Sequence, residues 1–169
     1  MVLKPEPIFN GVNKIKSDKL IHDCPIILMS PQGKILNQEY GKKISKFKDI
    51  IVIAGRYEGF DQRILDMHAD YKVSIGHTVI SGGEVPAMYM LEALIRRIPG
   101  VLGNPDSLKY ETFNDNKYDF PVYTRPETFN DLSVPEVLLS GNHAKIASWR
   151  KKQALQRTIE KRPDLIRNN

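Results

Sequence analysis

Ile50-Ile51-Val52-Ile53-Ala54, followed by Gly55-Arg56-Tyr57-Glu58-Gly59, is five apolar residues without polar alternation and then a turn. A half-exposed strand alternates apolar and polar residues, and one buried on both faces does not. The run therefore reads as an inner strand of a parallel sheet. Pro25-Ile26-Ile27-Leu28-Met29 has the same character, and Ser30-Pro31-Gln32-Gly33 is expected to end it. Between the two runs, residues 37–48 are polar with scattered apolar positions and predict a crossover helix. Residues 61–67 read as another short helix. Residues 71–75 and 78–80 read as short strands around Gly76.

Residues 84–98 carry the clearest helical pattern. Ala87, Met90, Leu91, Leu94, Ile95 and Ile98 recur at spacings near three and four. Pro86 lies near the start, where its missing N–H costs little, and Pro99-Gly100 stops the helix. Strands alternating with helices make residues 1–102 an α/β domain. Residues 103–127 hold Gly103, Pro105, Pro121 and Pro126 among Asp106, Glu111, Asp115 and Asp119, and read as an interdomain linker. A loop of this length in a compact protein is usually functional or disordered. Ser140-Gly141-Asn142-His143 then caps a helix running to about Lys161, with Ile146, Trp149, Leu155 and Ile159 as its apolar stripe and Pro163 past its end. Residues 128–169 thus form a small helical domain.

The 169 residues are 41% hydrophobic and 27% charged, a balance that excludes a disordered tail. No apolar run is long enough to span a membrane, and residues 1–7 form no signal-peptide core. One cysteine, Cys24, permits no internal disulfide. It reads as a small buried hydrophobe, and the chain as cytoplasmic. The net charge of +5 is unevenly placed. From Gly141 onward Lys145, Arg150, Lys151, Lys152, Arg157, Lys161, Arg162 and Arg167 face only Glu160 and Asp164, whereas the preceding residues are close to neutral. Such a segment suits a phosphate-rich partner or a solvated helix face.

Three glycine-bearing turns follow the apolar runs: 30–33, 55–59, and Gly76 with Ser81-Gly82-Gly83. Turns at the carboxyl ends of parallel strands are where α/β sheets bind ligands, and ordinary tight turns are the alternative. There is no GxGxxG after a strand and no GxxxxGK[ST], which removes the usual support for dinucleotides and nucleoside triphosphates. His22, His68, His77 and His143 have no ligand spacing and HExxH is absent, so no metal site is expected. Glu111 and Asp119 could serve as general bases, and Arg96 or Arg97 could stabilise developing negative charge. A glycine-lined pocket, a carboxylate-bearing linker and a basic helix fit a nucleic acid held by one part and modified by another.

Gly55–Asp61 (GRYEGFD), Ser74–Ala87 (SIGHTVISGGEVPA), Ile98–Gly103 (IPGVLG), Tyr123–Glu127 (YTRPE) and Leu139–Ala144 (LSGNHA), in this order, closely resemble the TrmD family of bacterial tRNA (guanine-N1)-methyltransferases. The resemblance covers essentially the whole chain. It implies a SPOUT-type parallel sheet with a deep C-terminal trefoil knot, followed by a small helical domain. It also implies a homodimer with active sites at the interface, and transfer of methyl from S-adenosylmethionine to N1 of the guanine 3′ of the tRNA anticodon. It implies magnesium dependence too, with no ion site that the sequence places.

By the same resemblance the donor is held by Met29, Ser30 and Pro31, by Gly55, Tyr57, Glu58 and Gly59, and by Ile75, Gly76, Ile80, Ser81, Gly82, Gly83 and Pro86. Glu58 would stand near the donor's methionine amine, and Arg96 would assist the transfer. The family's general base is a linker aspartate. The matching residue here is Glu111, which keeps the carboxylate and adds a methylene; Asp119, the second linker aspartate, is retained. The chain also opens later than the family pattern, past a first strand, a first helix and a Gly-rich segment. A reading from another class is a non-catalytic or incomplete tRNA-binding remnant of the family.

Overall fold

A computed structural model describes residues 1–20, 24–104, 107–108 and 111–167. His22, Pro105, Asp106 and Tyr110 lie outside the described residues, as does the side chain of Arg167. The chain divides into two compact units, Met1–Gly103 and Asn104–Asn169, and the stretch that reads as a linker falls almost wholly within the second.

The first unit runs α1 (Pro5–Lys19), β1 (Ile26–Ile35), α2 (Gln38–Ile44), β2 (Ile51–Ile53), α3 (Gln62–Met67), β3 (Tyr71–Ser74) and α4 (Glu84–Ile95). The three strands form one parallel sheet in the order β2-β1-β3. Both faces are covered, which is why the central runs do not alternate. Ile27 and Met29 of β1 and Val73 of β3 pack with Tyr40 and Ile44 of α2 and Ala87, Met90 and Leu94 of α4. Ile26, Ile51 and Ile53 point the other way, against Val12 of α1 and Cys24. Each such fully buried aliphatic side chain contributes ~1.5–3 kcal/mol. Cys24 is 4% exposed and burial raises its thiol pKa, so it packs as an inert apolar group.

Four sequence expectations are corrected. Ser30-Pro31-Gln32-Gly33 does not end β1: the strand resumes, and Met29 and Lys34 both oppose Val73 across a bulge. Pro31 has no N–H for the ladder, so the chain loops out and returns. Residues 78–80 are not a strand; the one bridge beside them joins Arg56 to Gly82. The helix expected to reach Ile98 ends at Ile95, and the crossover helix is shorter than its polar stretch. Helix α1 was not foreseen. Pro5 stands in its first turn, where the lost N–H would be unpaired anyway. Side-chain caps start the next two helices: Asn37 Oδ1 accepts from the Tyr40 N–H at 2.8 Å, and Asp61 Oδ1 from the Arg63 N–H at 3.0 Å.

The second unit contains a 3-10 turn at Asn114–Asn116, the hairpin β4 (Thr128–Phe129) and β5 (Leu132–Ser133), α5 (Glu136–Leu139), α6 (His143–Lys161) and α7 (Asp164–Arg167). Asn142 caps α6 by accepting from the Lys145 N–H at 3.0 Å. The inward stripe of α6 differs from the expected one. Ile146, Trp149, Ala154, Arg157 and Thr158 are at least partly covered, while Leu155 and Ile159 are exposed. Among the described residues of this unit Thr158 alone is fully buried, so little apolar core holds it together. No helix among the described residues is long and apolar enough to cross a membrane.

Candidate functional site

The loops beyond β2 and β3, with the β1 bulge, enclose a cavity of about 340 Å3. That is the lower end of the size range for small-molecule sites. Met29, Ser30 and Pro31 line it from the bulge, Gly55, Tyr57, Glu58 and Gly59 from the loop after β2, and Ile75, Ile80, Ser81, Gly82, Gly83 and Pro86 from the loop before α4. Gly76 does not line it. Its N–H donates to Ser74 Oγ at 3.2 Å and its carbonyl accepts from that hydroxyl at 3.0 Å, which fixes the turn at the cavity wall.

Close backbone approach builds this pocket. The Gly83 N–H donates to the Gly55 carbonyl at 2.7 Å. A Cβ on Gly83 would stand 2.8 Å from the Gly55 nitrogen and 3.0 Å from the Ala54 Cα, so no other residue fits without backbone movement. Gly76, at φ 144°, turns the other loop through backbone space that residues with a Cβ rarely enter.

The structure adds three contributors to the residues named singly from the sequence, two of them within the loops 55–59 and 75–86 that the resemblance assigns to the donor. Arg56 Nε donates to Glu84 Oε1 at 2.7 Å, across the first turn of α4, and this hydrogen bond holds the Glu84 carboxyl below its ordinary pKa. Thr78 and Val79 line the cavity from a segment that pattern reading assigned to a strand. Residues 1–3 brace the loop after β2: the Leu3 N–H donates to the Gly59 carbonyl at 2.9 Å and the Glu58 N–H to the Met1 carbonyl at 3.0 Å. The ion pair joins a loop to the start of α4 and the brace joins two distant segments, so neither leaves a local sequence signal.

Arg96 caps the C-terminus of α4 and is half-buried, outside the cavity lining. Neighbouring Arg97 donates to Gln38 at the start of α2. In the second unit Glu111 is half-buried, and its carbonyl accepts from the Asn114 N–H at 3.0 Å. The Asp119 carboxylate lies 3.7 Å from Arg157 Nη1. The basic residues of α6 and beyond fall into two groups. Arg150 lies 4.6 Å over the Phe120 ring, Arg157 engages Asp119, and Arg162 pairs with Asp164 at 2.6 Å. Lys145, Lys151, Lys152 and Lys161 are exposed and have no ion pair among the described residues.

A parallel sheet with a glycine-built ligand cavity at its carboxyl edge defines the class: an α/β protein that binds a small molecule outside its strand ends. The chain belongs to the family described as tRNA (Guanine-1)-methyltransferase TrmD, which matches it over residues 1–168. It is 46% identical over 166 residues to the tRNA (guanine-N(1)-)-methyltransferase of Dictyoglomus turgidum, and 49% identical over 166 residues to that of Staphylococcus carnosus. Each alignment covers 98% of this chain and 66% of the relative, so the chain spans just under two thirds of their length.

The cavity fits S-adenosylmethionine in its volume and in its backbone-lined glycine loops, with Glu58 at the rim for an amine. No group of three or more His, Cys, Asp or Glu placed to hold a metal ion occurs among the described residues.

Proposed function

We propose that the chain transfers a methyl group from S-adenosylmethionine to N1 of the guanine 3′ of a tRNA anticodon, as a cytoplasmic homodimer whose sheet carries the SPOUT trefoil knot. The observation that carries this reading is the glycine-built cavity: thirteen of the fourteen residues matched to the family's donor site converge on it. S-adenosylmethionine brings a methyl group on a positively charged sulfur, a good leaving group. The protein's task is to ready the acceptor. Guanine N1 carries a proton at neutral pH, and Glu111 is assigned to remove it. Negative charge then builds toward O6, and Arg96 is assigned to offset it. Asp119 is a second candidate for the guanine edge.

The exposed face of α4 supports the dimer. It buries Pro86, Ala87, Met90 and Leu94, yet Val85, Met88 and Tyr89 on its other side are 64%, 69% and 56% exposed. A helix apolar all round is normally covered all round, and a second copy across a two-fold axis is the default cover.

Labelled methyl transfer to undermodified tRNA tests the reading, on this chain and on one extended by the relatives' upstream segment. Transfer by both supports it, and transfer by the extended chain alone makes this chain an incomplete enzyme. Transfer by neither, with tRNA still bound, favours the tRNA-binding remnant.

Lys151 and Lys152 are the residues of α6 best placed to meet phosphates. Replacing both with Gln is expected to weaken tRNA binding and to reduce the slope of log affinity against log salt by roughly one for each phosphate no longer neutralised. Filter binding across a salt series measures this, and an unchanged slope would remove these lysines from the interface.

A further inference from the structure

We infer that Thr158 and Arg157 of α6 are positioning residues for Glu111, so that the helix offered to RNA also sets where the carboxylate stands. The inference rests on the reading of Glu111 as the base. The segment bearing Glu111 is tightly wound: Phe113, Asp115 and Asn116 have φ of 69°, 50° and 55°. Non-glycine residues in left-handed conformation persist where the surroundings over-determine them. The loop closes on itself through the Phe113 N–H to the Lys117 carbonyl at 2.6 Å, and the Phe113 and Tyr118 rings meet at 5.6 Å.

Its outside anchors come from α6. The Tyr118 N–H donates to Thr158 Oγ1 at 3.0 Å, and that hydroxyl donates to the Ala154 carbonyl at 2.7 Å. Thr158 is 0% exposed, so water cannot replace either bond. One residue earlier on the helix, Arg157 Nη1 donates to the Asp119 carbonyl at 3.4 Å and stands beside its carboxylate. The Asp119 N–H in turn donates to Thr112 Oγ1 at 3.3 Å, and Thr112 adjoins Glu111. Two adjacent helix residues thus hold the Tyr118-Asp119 dipeptide by its outer N–H and its outer carbonyl, and the Asp119–Thr112 hydrogen bond carries that grip to the residue beside the base. The exposed Lys151, Lys152 and Lys161 lie on the same rigid helix.

Thr158→Val keeps the shape and removes the hydroxyl; Thr158→Ser keeps the hydroxyl. Hydrogen exchange over residues 111–119 and steady-state methyl transfer are measured on both. In Thr158→Val, exchange over 111–119 is expected to quicken by about tenfold or more. Its kcat is expected to fall by about tenfold or more, with KM for tRNA within about twofold. Thr158→Ser restores both. If Val at 158 unfolds α6, Arg157→Gln carries the same test from a partly exposed position. Unchanged exchange over 111–119 overturns the latch, whatever the activity. Faster exchange with unchanged kcat overturns the coupling. Faster exchange in a protein whose unaltered form transfers no methyl, with or without the relatives' upstream segment, leaves the latch standing and removes the reading of Glu111 as the base.

Discussion

Glu111→Gln is expected to lower methyl transfer by about 100-fold or more while affinities for tRNA and S-adenosylmethionine stay within about twofold. The proton on guanine N1 must leave before or as the methyl arrives, because the protonated nitrogen has no free lone pair to offer. Gln fills the space of Glu and makes similar hydrogen bonds, but it cannot accept that proton. Glu111→Asp separates two histories of the site, since a misplacement of ~1 Å costs ~100-fold in rate. A faster Asp variant means that glutamate is the poorer base at this position, and a slower one means that the tightly wound loop has adapted to the longer side chain. Single-turnover rates decide the matter, and full activity in Glu111→Gln would remove the residue from the chemistry.

How much of this was legible in the sequence depended on the range of the interactions. The inner strands were legible because burial on both faces removes alternation: Ile26 and Ile27 face opposite cores, as do Ile51 and Val52. The helix start at Asn142 was legible because a cap acts within three residues, whereas the caps at Asn37 and Asp61 emerged only in the structure. The cavity loops could be anticipated because glycines cluster after the strands. What was missed depends on partners far away in the chain. The continuation of β1 past Pro31 needs β3 to pair with it, about forty residues on. Thr158 looked like one more polar residue on a basic helix, yet it is buried because Tyr118 brings it an N–H from forty residues earlier. Leu155 and Ile159 matched a helical stripe and are exposed, because partly polar residues, Arg157 and Thr158 among them, take the inward face.

Mixing two weakened variants, assayed with S-adenosylmethionine well below saturation, is expected to recover activity, which tests the dimer and the origin of its catalytic groups together. Gly83→Ala puts a methyl group 2.8 Å from the Gly55 nitrogen, so the wall between β2 and α4 must open. Overpacking of this kind costs ~1–3 kcal/mol, enough to weaken S-adenosylmethionine binding by about tenfold or more if the strain falls on the cavity. Glu111→Gln keeps the cavity and loses the base. In the proposed homodimer the linker carboxylate of one copy serves the cavity of the other. A mixed dimer then holds one site with an intact cavity and an intact base, and a second site with neither. Random pairing makes half the dimers mixed, so co-expressed variants should recover about a quarter of the unaltered rate, well above either variant alone. If each copy used its own carboxylate, every site would carry one defect and mixing would restore nothing. Adding Met88→Asp to both variants separates assembly from chemistry. Met88 is 69% exposed on the apolar side of α4, and a charge there should split the dimer in light scattering and abolish the recovery. Recovery that survived in monomers would show that α4 is not the contact between copies.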